Sequence, residues 1–228
     1  MLLAGASGLV GTRVLAELTA LDAPALRVVA PVRRTLAARD PRVHVVAHAL
    51  EDASADDALT AKLREAFDGR APGSYVCCLG TTIAVAGSRE RFAAVDLGLV
   101  LRLARIARAL GARQAIAITS VGAHPRSRNF YLHVKGEAEA GLAATGFERV
   151  DLLRPGLLLG ARRESRPAEA FMRATAPVWN PLLRGPLRRY RAIAADTVAR
   201  AIAALVGADE PGVYVHENDE QIRRASFS

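Results

Sequence analysis

Lysine is almost missing from this chain. Of 31 basic residues only Lys62 and Lys135 are not arginine, so a lysine here marks a place where a generic cation does not suffice. Aromatic residues make up 5% against 51% hydrophobic residues overall, which excludes a core of stacked rings and leaves Ala, Leu and Val to fill it. There are two cysteines, the adjacent Cys77 and Cys78 inside the apolar run "SYVCCLG". That excludes a disulfide framework and reads as core thiols. No apolar run approaches the ~18 residues of a membrane-spanning helix. The N-terminus shows no basic segment followed by an apolar targeting stretch, so the expectation is a soluble cytoplasmic protein with no membrane partner. The histidines His44, His48, His124, His133 and His216 lie on different elements without metal-ligand spacing, and no metal is expected.

A net charge of +8 raises nucleic acid or an anionic ligand as a partner. The arginines, however, are spread along the whole chain, without basic blocks interleaved with aromatics. An arginine bias therefore explains the charge better than a nucleic-acid face does.

At 228 residues the chain fits one domain with a substantial core. Short apolar runs alternate with amphipathic stretches of helix length, the signature of βαβ units and a parallel sheet. Strands are expected at "MLLAG", "LRVVAPV", "VHVVAH", "SYVCCLG", "QAIAITS" and "FERVDLLRPGLLL", the last stopping at Pro155 because proline cannot extend a central ladder. Helices are expected at "LVGTRVLAELTAL", "DDALTAKLREAF", "RERFAAVDLGLVLRLARIARALG", around Tyr131 and Lys135, and at "DTVARAIAALV", with Asp196 as its N-cap. "GVYVH" is a last apolar piece. The fold class is α/β, a doubly wound Rossmann-like parallel sheet in a single domain over 1–228. About 160–192 and 208–228 form a small C-terminal substrate-facing region.

The loop "GASGLVG" spans Gly5, Ala6, Ser7, Gly8, Leu9, Val10 and Gly11 between the first strand and the first helix. Glycines permit a tight turn and close backbone approach, so helix N–H groups and the positive end of the dipole can hold a pyrophosphate. Arg33 and Arg34 stand after the second strand, where a carboxylate would bind a ribose 2′-hydroxyl and a cation a 2′-phosphate. The expected cofactor is therefore NADP(H).

Tyr131 and Lys135 are four residues apart, on one face of a helix. An ammonium beside a phenol favours the phenolate, and a compact ammonium can also hydrogen-bond a ribose, which a planar guanidinium does less well. Such a tyrosine can exchange a proton with a carbonyl or alcohol. Ser120 or Thr119, at the end of the fifth strand, could orient the reacting oxygen.

The segments "GASGLVG", "CCLGTT", "ITSVGA", "YLHVK", "LRPGLLLG" and "RESRPAE", in this order and spacing, resemble the atypical short-chain dehydrogenase/reductases, particularly the Tat-interacting oxidoreductase group and its bacterial relatives. The resemblance implies NADP(H) binding and a Ser-Tyr-Lys site on Ser120, Tyr131 and Lys135. It brings Leu79, Gly80 and Thr81 to the adenosine side and Pro155, Gly156 and Leu157 to the nicotinamide, with Leu50 also among the cofactor-binding residues. It also implies hydride transfer to a small carbonyl substrate, with a second reading: a redox-sensing NADP(H)-binding regulator that acts through a protein partner. A homodimer through the long helices is left open, because "RLARIARALG" has enough arginine to be a solvated face. Arg162, Arg163 and Arg166 could meet an anionic group, or Glu164 and Arg166 could pair structurally. Trp179 is read as a packing anchor, with a lid over the substrate as the alternative.

Overall fold

The computed structural model describes residues 1–33, 36–50, 52–160 and 183–226. Arg34, Arg162, Arg163, Glu164, Arg166 and Trp179 lie outside the described residues.

The apolar runs pair as one parallel sheet. Its strands are β1 (Leu2–Ala4), β2 (Val28–Val32), β3 (Val43–Ala47), β4 (Ser74–Cys77), β5 (Gln114–Ile118), β6 (Arg149–Arg154) and β9 (Gly212–Glu217), in the order β3-β2-β1-β4-β5-β6-β9. The short β7 (Leu158–Leu159) and β8 (Ile193–Ala194) pair separately beyond the end of β6. "GVYVH" is thus the seventh strand, running parallel to β6 from Arg149↔Gly212 to Arg154↔Glu217.

Strand residues alternate between two cores, one on each face of the sheet. Leu2, Tyr75, Ala115, Val150 and Leu152 pack with Leu59 and Leu63 of α2 (Asp56–Ala66), and with the helices that follow β4 and β5. Leu3, Val28, Val76, Ile116 and Leu153 pack with Val14 and Leu18 of α1 (Gly11–Ala20) and with Val198 and Ile202 of a later helix, Ala195–Leu205. Coverage on both faces is why these strands read as continuous apolar runs rather than alternating ones.

Two local expectations change. The long helix after β4 is not continuous: after the short α3 (Ile83–Ala86), α4 (Arg89–Ala93) passes through a π-helical stretch, Ala94–Leu99, into α5 (Val100–Ala109). The wider turn shifts the register of the inward face there. Asp196 is not an N-cap, because α7 (Ala195–Leu205), which follows α6 (Phe130–Ala143), begins one residue earlier. Asp196 lies in the first turn and its carboxylate takes the Arg13 guanidinium at 3.0 Å, tying α7 to α1. An acid in a first turn also suits the helix dipole. The chain closes with α8 (Asn218–Ala225).

β1 is followed on one side by β2 and on the other by β4. The strand order reverses at β1, so the crevice beyond the carboxyl ends of β1 and β4 is where such sheets take ligands.

Candidate functional site

The glycine loop sits at that crevice. Gly5 has φ +79°, and a Cβ there would lie 2.6 Å from the Cys78 carbonyl carbon and oxygen. The loop therefore runs directly against the backbone leaving β4, an approach only glycine permits. The Gly8 N–H donates to the Gly5 carbonyl at 2.9 Å, closing the turn. Val10 precedes α1 without a side-chain cap, and the first turn holds no acid, which leaves the positive helix end free of a competing carboxylate. Ala6 and Val10 are buried in the core and Ser7 is exposed. Leu9 reaches across to the chain after β6, where a Cβ on Gly160 would lie 2.7 Å from its Cδ1.

Arg33 follows β2 directly and is exposed. Leu50 has its side chain in the core, and its carbonyl accepts from the Arg102 guanidinium.

α6 carries the two residues singled out by spacing. Asn129 caps it, its side-chain oxygen accepting from the Leu132 N–H at 3.2 Å. Tyr131 lies in the first turn with its ring 5.5 Å from the buried Phe92 of α4. Lys135 follows one turn later and is 5% exposed.

The loop bearing Ser120 is fastened to this helix. The His124 N–H donates to the Leu132 carbonyl at 3.1 Å, and His133 Nδ1 meets the Pro125 carbonyl at 2.5 Å. His133 is thereby turned to the loop. Gly136 makes the contact sterically possible, since a Cβ there would come within 2.2 Å of the His124 carbonyl carbon.

The two hydroxyls at the end of β5 separate. Thr119 is buried and donates to Glu139 Oε1 at 2.6 Å, with the Leu153 carbonyl at 3.2 Å. The same carboxylate takes both arms of the Arg154 guanidinium, at 2.9 and 2.5 Å. Thr119 is thus committed to holding β5, α6 and β6 together. Ser120, half-buried, makes only a 3.4 Å contact to the next carbonyl, so of the two hydroxyls it is the one left for a ligand.

Beyond β6, the Pro155 carbonyl accepts from the Val121 N–H at 3.2 Å, and the Gly156 N–H donates to Asn218 Oδ1 at 2.9 Å. The Leu157 carbonyl accepts from the Ile193 N–H at 2.9 Å. Pro155, Gly156 and Leu157 therefore lie beside the Ser120 loop, anchored from behind by the start of α8.

Lys135 has a partner that its spacing did not disclose. Its ammonium forms an ion pair at 2.7 Å with Asp96 of the π-helical stretch, and the Asp96 side chain has no exposure. The other carboxylate oxygen accepts the Thr81 N–H at 2.9 Å. The pair lies under Gly80, where a Cβ would sit 3.7 Å from Asp96 Oδ1 and 3.9 Å from Lys135 Nζ. Burial alone would lower the Lys135 pKa, but the Asp96 carboxylate, with Tyr131 and Cys77 nearby, outweighs it and holds the group above the usual lysine value. Breaking such a pair by removing one member costs about 3–5 kcal/mol.

Asp96 could have been found in the sequence. Phe92, Asp96, Leu99, Val100 and Leu103 recur at helical spacing and all five are buried. An acid on an apolar stripe requires a buried cation. Cys77 and Cys78 are both free, with thiols pushed up by burial, as core thiols are. Among the described residues no group of His, Cys, Asp and Glu could hold a metal ion, and no helix is long and apolar enough to cross a membrane.

No family model matches the chain. Among curated proteins it is 38% identical over 218 residues to the mitochondrial protein Fmp52 of Aspergillus fumigatus, covering 92% of this chain and 90% of that protein. It is 36% identical over 202 residues to Fmp52 of Aspergillus clavatus, covering 87% and 83%. With Fmp52 of Candida albicans the identity is 34% over 163 residues, covering 71% and 68%. These relatives are named as mitochondrial proteins, which overturns the expectation of a cytoplasmic protein. A compartment is set by import signals read by receptors, and neither composition nor the lack of a recognisable leader excludes one.

Solved structures share the fold. MoeE5 in complex with UDP-glucose and NAD superposes with a TM-score of 0.66 at 17% identity, covering 100% of this chain and 81% of that one. The UDP-glucose 4-epimerase of Thermotoga maritima gives 0.68 at 14%, covering 95% and 76%. A protein of Bacillus halodurans described as an NAD-dependent epimerase/dehydratase gives 0.62 at 20%, covering 100% and 98%. At these identities the likeness establishes the Rossmann-like fold.

Proposed function

The chain belongs to the Fmp52 family, and from the fold together with the site we propose an NADP(H)-dependent oxidoreductase of the short-chain dehydrogenase/reductase kind, reducing a small carbonyl or related substrate. The observation that carries this reading is the buried Lys135 ammonium beneath Gly80, one turn after Tyr131, at the sheet edge that also holds the glycine loop. Solved neighbours described with bound NAD support a nicotinamide dinucleotide at that edge. The motif resemblance to the Tat-interacting oxidoreductase group supports the finer assignment.

In this reading the Gly5–Gly11 loop and the start of α1 hold the pyrophosphate, Leu79, Gly80 and Thr81 lie along the adenosine side, and Pro155–Leu157 abuts the nicotinamide. Arg33 takes the 2′-phosphate. The cofactor supplies the hydride. Tyr131 would donate the proton to the carbonyl oxygen, Lys135 would hydrogen-bond the ribose, and Ser120 would orient the reacting oxygen.

Mass identification of nucleotide bound to the purified protein tests the cofactor, and NADP is expected. Finding NAD instead removes the role given to Arg33. A carbonyl panel followed by NADPH absorbance tests the chemistry: Tyr131→Phe should lose at least about a hundredfold in kcat. Equal turnover by wild type and Tyr131→Phe removes the role given to the phenol. Tight NADPH binding with no turnover of any panel member points instead to the redox-sensing reading.

A further inference from the structure

Asn218 is the first residue of α8 and is 1% exposed. An asparagine at a helix start ordinarily caps its own helix. This one spends its amide on two other segments: Oδ1 accepts the Gly156 N–H at 2.9 Å, and Nδ2 donates to the Arg191 carbonyl. α8 itself begins without a side-chain cap.

The two segments that the amide joins press against each other. A Cβ on Gly156 would lie 2.3 Å from the Arg191 carbonyl oxygen and 2.9 Å from the Tyr190 carbonyl carbon. From there the chains run on as the β7–β8 pair, Leu158↔Ile193 and Leu159↔Ala194. Glycine at 156 lets the two backbones meet, and the Asn218 amide fixes how they meet. Asn218 is itself firmly placed. It stands one residue beyond the last ladder pair of β6 and β9, Arg154↔Glu217, and Gln221 Nε2 closes the corner on the His216 carbonyl at 2.6 Å. Next to Gly156, the Pro155 carbonyl holds the Ser120 loop through the Val121 N–H at 3.2 Å.

We propose that Asn218 is a positioning residue for the reactive half of the cofactor: its amide sets where Pro155–Leu157 stands, and with it how the nicotinamide seats beside Ser120 and Tyr131. The proposal rests on the dinucleotide reading above. Neither hydrogen bond of the amide reaches the glycine loop or the ends of β2 and β4. The adenosine half should therefore bind alike with and without it.

The test compares two probes, NADPH and adenosine 2′,5′-bisphosphate, which carries the adenosine and the 2′-phosphate but no nicotinamide. Affinities are measured for wild type, Asn218→Ala, Asn218→Asp and Gly156→Ala, with thermal unfolding of each followed in parallel. Asn218→Ala should bind NADPH about tenfold more weakly and the bisphosphate within about twofold of wild type. Asn218→Asp keeps an acceptor for the Gly156 N–H and loses the donor to Arg191, so its NADPH loss should fall between the two. Gly156→Ala forces the same backbones apart without touching Asn218 and should reproduce the selective loss. If Asn218→Ala does not fold, the other two variants carry the same contrast.

Unchanged NADPH affinity in folded Asn218→Ala overturns the proposal. An equal loss of both probes also overturns it, because that is the mark of a general structural role. Wild type that binds neither probe removes the dinucleotide reading itself, and this proposal with it.

Discussion

Lys62 lies exposed on α2, whereas Lys135 is 5% exposed and ion-paired. The same rare residue type thus stands in two unlike settings, and only Lys135 has a tyrosine four residues before it. Arginine at 135 would carry a broad planar fork into a space defined by Gly80 and Asp96. Lys135→Arg should bind NADPH about tenfold more weakly, the worth of one charge-assisted hydrogen bond, as measured by fluorescence titration. Gly136→Ala should unfold at lower temperature, because its methyl group meets the His124 backbone within 2.2 Å. Overpacking of this kind costs about 1–3 kcal/mol, a shift of several degrees in Tm. The reason for that glycine was not legible in the sequence, since it depends on which loop comes to rest on the helix.

At the scale of elements, the strands and the helices α1, α2 and α7 were readable to within a few residues, because each runs from a clear apolar pattern to a clear breaker. The interruption at Ala94–Leu99 was not, for "RFAAVDLGLVLRL" keeps helical spacing throughout and a π turn has no compositional mark. The site followed the same division. Gly5 and Lys135 announce themselves locally and Asp96 stands on a legible apolar stripe, while Glu139 acquires meaning only when α6 and the ends of β5 and β6 are brought together.

Glu139 sits one turn beyond Lys135 and holds Thr119 of the β5 end and Arg154 of the β6 end. It sets the depth at which α6 lies against the sheet. Glu139→Gln should lower stability by about 1.5–3 kcal/mol in urea unfolding. Thr119→Val should cost less, because it leaves the Glu139–Arg154 pair intact. An equal cost for the two would show that the helix is placed by something else.

Across the described residues several arginines tie elements together. Arg13 joins α1 to α7, Arg102 joins α5 to α2, Arg154 joins β6 to α6, and Arg149 lies along β6 against Asp151. Asp151 is fully buried and also accepts from Gln114 at 2.9 Å and meets His216 Nε2 at 2.8 Å, while His216 Nδ1 faces Glu220 of α8 at 3.0 Å. Burial alone would raise the Asp151 pKa, but hydrogen bonds from His216, Arg149 and Gln114 outweigh it and hold the carboxyl below its usual value. A depressed carboxyl contributes stability that is fully present above its unfolded pKa of about 4 and is lost as pH falls through the folded value. Wild type should therefore lose Tm below about pH 4, and Asp151→Asn, less stable at neutral pH, should lose less of it over the same interval. Parallel acid titrations followed by circular dichroism would show whether the two curves converge.

The seventh strand reaches the sheet only after α7 has been made, and it seals the flank of β6, whose residues are almost all buried. During synthesis the glycine loop and the ends of β1 and β4 can be in place while that flank still lacks its last ladder. A chain halted after α7 would present the unpaired main-chain groups of β6 to other nascent chains. The addition of β9 thus decides less about chemistry than about whether the growing chain stays in solution.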